Sequence, residues 1–202
     1  MSQKLLTVTV PCYNSEAYMR GCVDSLLVGG ERVEIIIIDD GSTDATGAIA
    51  DEYASAYPTI VKVVHQENGG HGEGINQGAK HATGVYFKVV DSDDKMSEDF
   101  PAFLDALEAC EREGGVDMAV TNYYYVHTDG EGDRSIDYSS VLPKNKIFTW
   151  SESKPFKIHQ LLTLFFVEIL NFLFLVSGFF IVSTFARILL DISLLNGKLE
   201  HT

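Results

Sequence analysis

Positive charge is in short supply in this sequence: 15 lysine and arginine residues stand against 29 aspartates and glutamates, a net charge of −14 over 202 residues. Nucleic acid is therefore not an expected partner, because a broad grip on it needs Lys and Arg to neutralise phosphates. Cysteine is scarce as well. Cys12, Cys22 and Cys110 have neither a zinc-type spacing nor an even count for pairing, so neither structural zinc nor a disulfide framework is expected, and a reducing compartment is. No apolar stretch of signal-peptide length follows Met1 to Lys4, so secretion through an N-terminal signal is not expected. Nor is there a sign of disorder. Hydrophobic residues at 46% and charged residues at 22% are ordinary globular values, and the length suits one domain with a short appendage.

The acidity is unevenly spread. Up to Ser153 there are 11 basic and 26 acidic residues, whereas Lys154 to Thr202 holds 4 basic and 3 acidic. Eight of the twelve phenylalanines lie between Phe156 and Phe185. The chain divides on this reading into residues 1–157 and an apolar tail, residues 158–202.

In the first part, short β-rich runs alternate with helical periodicity. Leu5–Val10, Val33–Ile38, Ile60–Val64 and Val85–Val90 read as strands, and Val116–Val126 as another. Helical faces follow at Met19, Cys22, Val23, Leu26 and Leu27, and at Ala45, Ala48, Ile49, Tyr53 and Ala56, with a short helix over Gly74–His81. A further helix opens at Pro101 and runs to about Glu113, the proline standing where a missing N–H costs nothing. This alternation predicts an α/β fold, a mostly parallel sheet flanked by helices. Ligands bind such sheets at the carboxyl ends of the strands, and the polar clusters fall there. Pro11–Asn14 follows the first strand, Asp39–Asp44 the second, Asn68–Gly74 the third and Asp91–Asp94 the fourth.

Asp91, Ser92, Asp93 and Asp94 crowd carboxylates into one turn, an arrangement that a hard divalent cation such as Mn²⁺ or Mg²⁺ relieves. The alternative is a solvated acidic turn capping the next helix. Asp39, Asp40, Gly41 and Ser42 taken alone are a tight turn and a helix cap. The loop Gly69 to Gly74 fails the dinucleotide fingerprint at Ile75 and follows the wrong strand, which disfavours a nicotinamide oxidoreductase. Its glycines, Gly70 among them, let the backbone pass close to a ligand. His71 reads as a polar loop residue rather than a catalytic base.

Taken together, V-P-C-Y-N at Val10–Asn14, E-I-I-I-I-D-D-G-S-T-D at Glu34–Asp44, E-N-G-G-H-G with Asn76, and T-G-V-Y-F-K-V-V-D-S-D-D ending at Asp94 resemble family 2 glycosyltransferases of the GT-A fold. The similarity keeps order and spacing from about Leu5 to Met96. It implies a donor pocket lined by Pro11, Tyr13, Asn14, Gly70 and Asn76, with Asp40 accepting a hydrogen bond from the base. It implies a D-x-D element at Asp91, Ser92 and Asp93, with Asp91 near the ribose and the carboxylates of Asp91 and Asp93 serving Mn²⁺ or Mg²⁺ on the donor diphosphate. The implied reaction moves a sugar, with inversion, from a nucleotide-diphosphate donor, a UDP-sugar by preference, to a polysaccharide or lipid-linked acceptor. The implied location is the cytoplasmic face of the cell membrane.

Two departures stand out. Ile75 occupies a position where the family often carries a basic residue. After Thr163 the acidic residues are Glu168, Asp191 and Glu200, none in a matching context, so no catalytic base is assigned. The alternative function is a nucleotide-binding remnant without transfer activity. Ile169–Ala186 is free of charge over eighteen residues, long enough for a membrane helix, and the tail is expected to be helical and to reach a membrane through residues 158–190. A truncated or divergent acceptor region is the other reading of the tail. His127–Lys146, rich in Asp, Gly and Ser, is expected to form a loop over the site.

Overall fold

The computed structural model describes residues 3–126, 134–138, 142, 146–149, 187–191 and 199–200. The expected loop over the site falls largely outside the described residues, as does most of the tail, including Glu168 and the uncharged stretch Ile169–Ala186. Among the described residues, no helix is long and apolar enough to cross a membrane.

Four strands form the main sheet: β1 (Leu6–Cys12), β2 (Val33–Asp40), β3 (Val61–Gln66) and β4 (Tyr86–Val89). All pairings are parallel and the order is β3-β2-β1-β4. Between β1 and β4 the order reverses direction, which opens a crevice at their carboxyl ends. The helices are α1 (Met19–Leu27), α2 (Thr46–Ala56), α3 (His71–His81) and α4 (Phe100–Arg112).

Residues along a strand alternate between faces, and the two faces of β1 and β2 have different partners. Leu6, Val8, Val10 and Cys12 of β1 join Val33, Ile35 and Ile37 of β2 in one core with Met19, Cys22, Val23 and Leu26 of α1 and Phe100, Phe103, Leu104 and Leu107 of α4. The opposite face carries Thr7, Thr9, Ile36 and Ile38, and α3 lies over it. Both faces of β2 are thereby covered, which is why its middle, Ile35–Ile38, is an unbroken apolar run. α3 comes close to β1 at Gly78, where a Cβ would overlap the Thr9 side chain. Gly78→Ala is therefore expected to cost about 1–3 kcal/mol of stability, the usual range for overpacking. Urea unfolding checks this, and an unchanged midpoint would mean that α3 can ride up without loss.

Four sequence expectations are corrected. The inward face of α2 is Thr46, Ile49, Ala50 and Tyr53, while Ala45, Ala48 and Ala56 are exposed, because Thr46 is drawn in by its hydrogen bond to Ser15. α3 starts at His71 rather than Gly74, because the Gly70 carbonyl accepts from the Glu73 and Gly74 amides. The expected strand Val116–Val126 is two, β5 (Met118–Thr121) and β6 (Tyr123–Val126). Asn122 divides them, and its side-chain oxygen accepts from the Tyr138 amide at 2.9 Å. β6 then enters a different sheet, with β7 (Arg134–Ile136). Finally, the described residues of the tail are strands, not helix. Beyond β8 (Lys146–Thr149), β9 (Arg187–Asp191) pairs with β5 and β8, and β10 (Leu199–Glu200) pairs with β6. Backbone pairing to existing edges there overrides any helical tendency of the apolar composition.

Candidate functional site

Pro11, Tyr13, Asn14, Ser15, Tyr18, His71, Asp91, Ser92 and Asp93 line an open cleft of about 330 Å³ at the carboxyl ends of β1 and β4. Six of the nine sequence-predicted donor and metal residues are thus brought together. Tyr13 and Tyr18 are exposed, and Asp91 and Asp93 line the same cleft.

The segment after β1 is fastened to the segment after β2. Asn14 takes a left-handed backbone conformation (φ 51°), and its side-chain oxygen accepts from the Thr43 amide at 2.9 Å. The Asn14 amide donates to the Ser42 hydroxyl at 3.0 Å, and the Glu16 side chain accepts from the Ala45 amide at 2.8 Å. The sequence element S-T-D is therefore occupied in holding the Tyr13 and Asn14 loop as well as in starting α2.

Asp40 is buried and lies behind the cleft rather than on its lining. One carboxylate oxygen accepts from the Gln66 side chain and, at 2.8 Å, from the Gly69 amide; the other accepts from the Gly70 amide at 2.8 Å. A carboxylate has about four acceptor positions, so one remains on the second oxygen. Gly70 reaches this arrangement with φ 85°, where a side chain would be strained. Asn76 lies in α3, donates to Glu73 at 3.2 Å, and is not among the residues lining the cleft.

Asp39 is engaged separately. Burial raises its carboxyl pKa, but hydrogen bonds from Ser42 and His65 outweigh that and leave it below the ordinary value. His65 bridges Asp39 at 2.9 Å and Asp51 at 3.1 Å, and these two carboxylates raise its own pKa. Because the folded value is raised, the stabilisation is fully present below the unfolded histidine pKa and is lost as pH rises through the folded one. The stability gap between the wild type and His65→Ala is accordingly expected to narrow from pH 5.5 to pH 9 in urea titrations. A gap that does not change would show that charge plays no part in the bridge.

Asp91 is exposed, with His71 Nε2 3.6 Å from its carboxylate. His71 is the one basic side chain among the described residues that line the cleft. It stands on the first turn of α3, close to the carboxylates, which the reading of it as a plain loop residue did not anticipate. Among the described residues, no group of three or more His, Cys, Asp or Glu side chains is assembled for a metal. Asp91 and Asp93 both line the cleft, and one or two carboxylates are the donor set an Mg²⁺-type ion takes before waters and substrate phosphates complete its shell.

Sequence reasoning missed Ser15, Thr46 and Gln66. Ser15 is buried, its amide donates to the Thr46 hydroxyl at 2.7 Å, and its hydroxyl shares a hydrogen bond with that of Ser92 at 2.8 Å. The available signal was a polar residue directly after Tyr13 and Asn14, which a strand-end reading alone gives no reason to bury.

The model of "Glycosyl transferase family 2" matches residues 7–174. The chain belongs to this family. As a family 2 chain it is 33% identical over 163 residues to Glycosyltransferase GlyA of Streptococcus pneumoniae, covering 76% of this chain and 23% of that protein. It is 32% identical over 132 residues to the minor teichoic acid biosynthesis protein GgaA of Bacillus subtilis, covering 60% of this chain and 28% of that one. The family 2 chain thus spans about a quarter of the length of these two relatives. Among solved structures, residues 1–349 of S. aureus TarS in complex with UDP-GlcNAc superpose with a TM-score of 0.53 at 32% identity, over 63% of this chain and 36% of that one. The mostly parallel sheet with flanking helices is GT-A-like, as the family 2 motifs imply.

Proposed function

We propose that the chain is the donor-binding part of a glycosyltransferase that takes a sugar from a UDP-sugar, with Mn²⁺ or Mg²⁺ bound, and passes it with inversion to a cell-envelope polysaccharide or lipid-linked acceptor. The observation that carries this is the cleft itself, which gathers Tyr13, Tyr18, Asp91 and Asp93, in a chain of the same family as GlyA. The UDP-GlcNAc bound by TarS favours uridine, and the likeness to GgaA favours a cell-envelope product. The buried free cysteines accord with a cytoplasmic location, for which the inner membrane face is the proposed site of work.

Each part of the donor has a proposed holder. Tyr13 and Pro11 flank the base, and the remaining acceptor position of Asp40 takes its N–H. Gly70 holds Asp40 through its amide, and Asn76, off the cleft lining, is proposed to meet the donor from the α3 side. Asp91 reaches the ribose as well as the ion, and Asp93 holds the ion. When bound, the ion would neutralise charge developing on the diphosphate as the sugar leaves. Ser92 keeps the two carboxylates in place through Ser15.

A second reading, nucleotide binding without transfer, has one observation in its favour. The carboxylates among the described cleft-lining residues are Asp91 and Asp93, both assigned to the ion, which leaves neither to take the acceptor's proton. UDP release from UDP-GlcNAc, measured with and without wall-polymer acceptors, separates the two. Acceptor-stimulated release supports transfer; saturable donor binding with no release supports the second reading.

A further inference from the structure

We infer that Ser15 is a positioning residue that couples the nucleoside side of the cleft to its metal side. This rests on the donor reading proposed above. Contacts with five residues converge on one buried side chain and its backbone. The Ser15 hydroxyl accepts from the Tyr13 amide at 3.2 Å and shares the 2.8 Å bond with the Ser92 hydroxyl. Its amide is tied to Thr46, which is wholly buried, and its carbonyl accepts from the Tyr18 and Met19 amides at 3.0 Å, starting α1. Ser92 lies between Asp91 and Asp93 in sequence, so this bond fixes the turn that presents both carboxylates.

The far side of that turn is held as well. The Cys22 thiol donates to the Asp91 carbonyl at 3.5 Å. The turn after β4 is thus seated on α1 by one weak sulfur contact and on the segment after β1 by one strong hydroxyl contact. Removing the strong one frees the carboxylates to splay apart under their own repulsion. The backbone bonds of Ser15 survive replacement by alanine, so the tie is lost while the start of α1 is kept.

The test is the gain in UDP affinity on replacing EDTA with Mn²⁺, measured calorimetrically for the wild type, Ser15→Ala, Ser92→Ala and the double variant. Loss of one hydrogen bond should cut the Mn²⁺ gain about 3- to 10-fold in each single variant. The double variant should lose no more than either single one, and the loss of affinity in EDTA should be clearly smaller than the loss in Mn²⁺. Multiplying losses, equal losses in EDTA and Mn²⁺, or an unchanged gain would each overturn the coupling. Should the wild type itself fail to bind UDP with Mn²⁺, the donor reading falls and the inference with it. A normal wild-type gain with unaffected variants sinks the inference alone. Ser92→Ala keeps the test valid if Ser15→Ala does not fold.

Discussion

Asp93→Ala is expected to lower UDP-sugar turnover by about 100-fold or more while leaving the fold intact, the scale typical of losing a main electrostatic stabiliser of a leaving group. Among the described residues, the cleft lining holds no basic side chain other than His71, so on the proposed reading the ion carries most of the neutralisation. With Asp93 gone, Asp91 is left as its principal protein ligand. Stability should not fall, because one of three crowded carboxylates has been removed. Initial rates of UDP release, with a thermal melt as control, check both halves. Turnover within a few-fold of wild type would show that the ion is held elsewhere or is not needed.

The second large effect concerns stability and lies at the opposite end of the sheet. Glu34 is 3% exposed, yet its carboxylate is surrounded by four donors. It accepts from the Thr7 hydroxyl at 2.6 Å, from the Thr83 amide and hydroxyl at 2.8 Å each, and from Lys62. Burial alone would raise its pKa; the donors outweigh burial and bring it down to about 2. Because the folded value lies below the unfolded one, the stabilisation is complete above about pH 5 and is lost as pH falls toward 2. Glu34→Gln should therefore cost about 3 kcal/mol at pH 7 and less than half of that at pH 3. Urea unfolding at the two pH values reads the difference. An equal cost at both would show that shape, not charge, is what Glu34 supplies.

Much of the sheet was legible because burial on both faces leaves a strong trace in sequence. β2 could only be a covered central strand, and the polar clusters after each strand pointed to one rim. Elements whose signal depends on a distant partner were not legible. Thr46 reads as an ordinary helix residue until Ser15 draws it inward, and Ala45 and Ala48 look like core until it does. The start of α3 depends on Gly70, which a glycine-rich stretch disguises as loop. Ile188 to Leu190 look helical by composition, and only pairing with β5 and β8 makes them a strand.

In the site, the motif residues were identified but their division of labour was not. The resemblance gives Asp40 to the donor's base without saying what holds it: Gln66 and the Gly69 and Gly70 amides engage its carboxylate, and Ser15 engages Ser92. Side-chain hydrogen bonds between residues 26 to 77 positions apart leave no periodicity to read. They are visible only once β1, β2 and β4 stand side by side.

The most direct test of the account is a calorimetric titration of the full chain with UDP, in Mn²⁺ and in EDTA. Saturable binding that requires Mn²⁺ and disappears in Asp93→Ala is the predicted result. A protein that is folded by circular dichroism and binds no UDP, or binds it without regard to the ion or to Asp93, would contradict the assignment of the cleft.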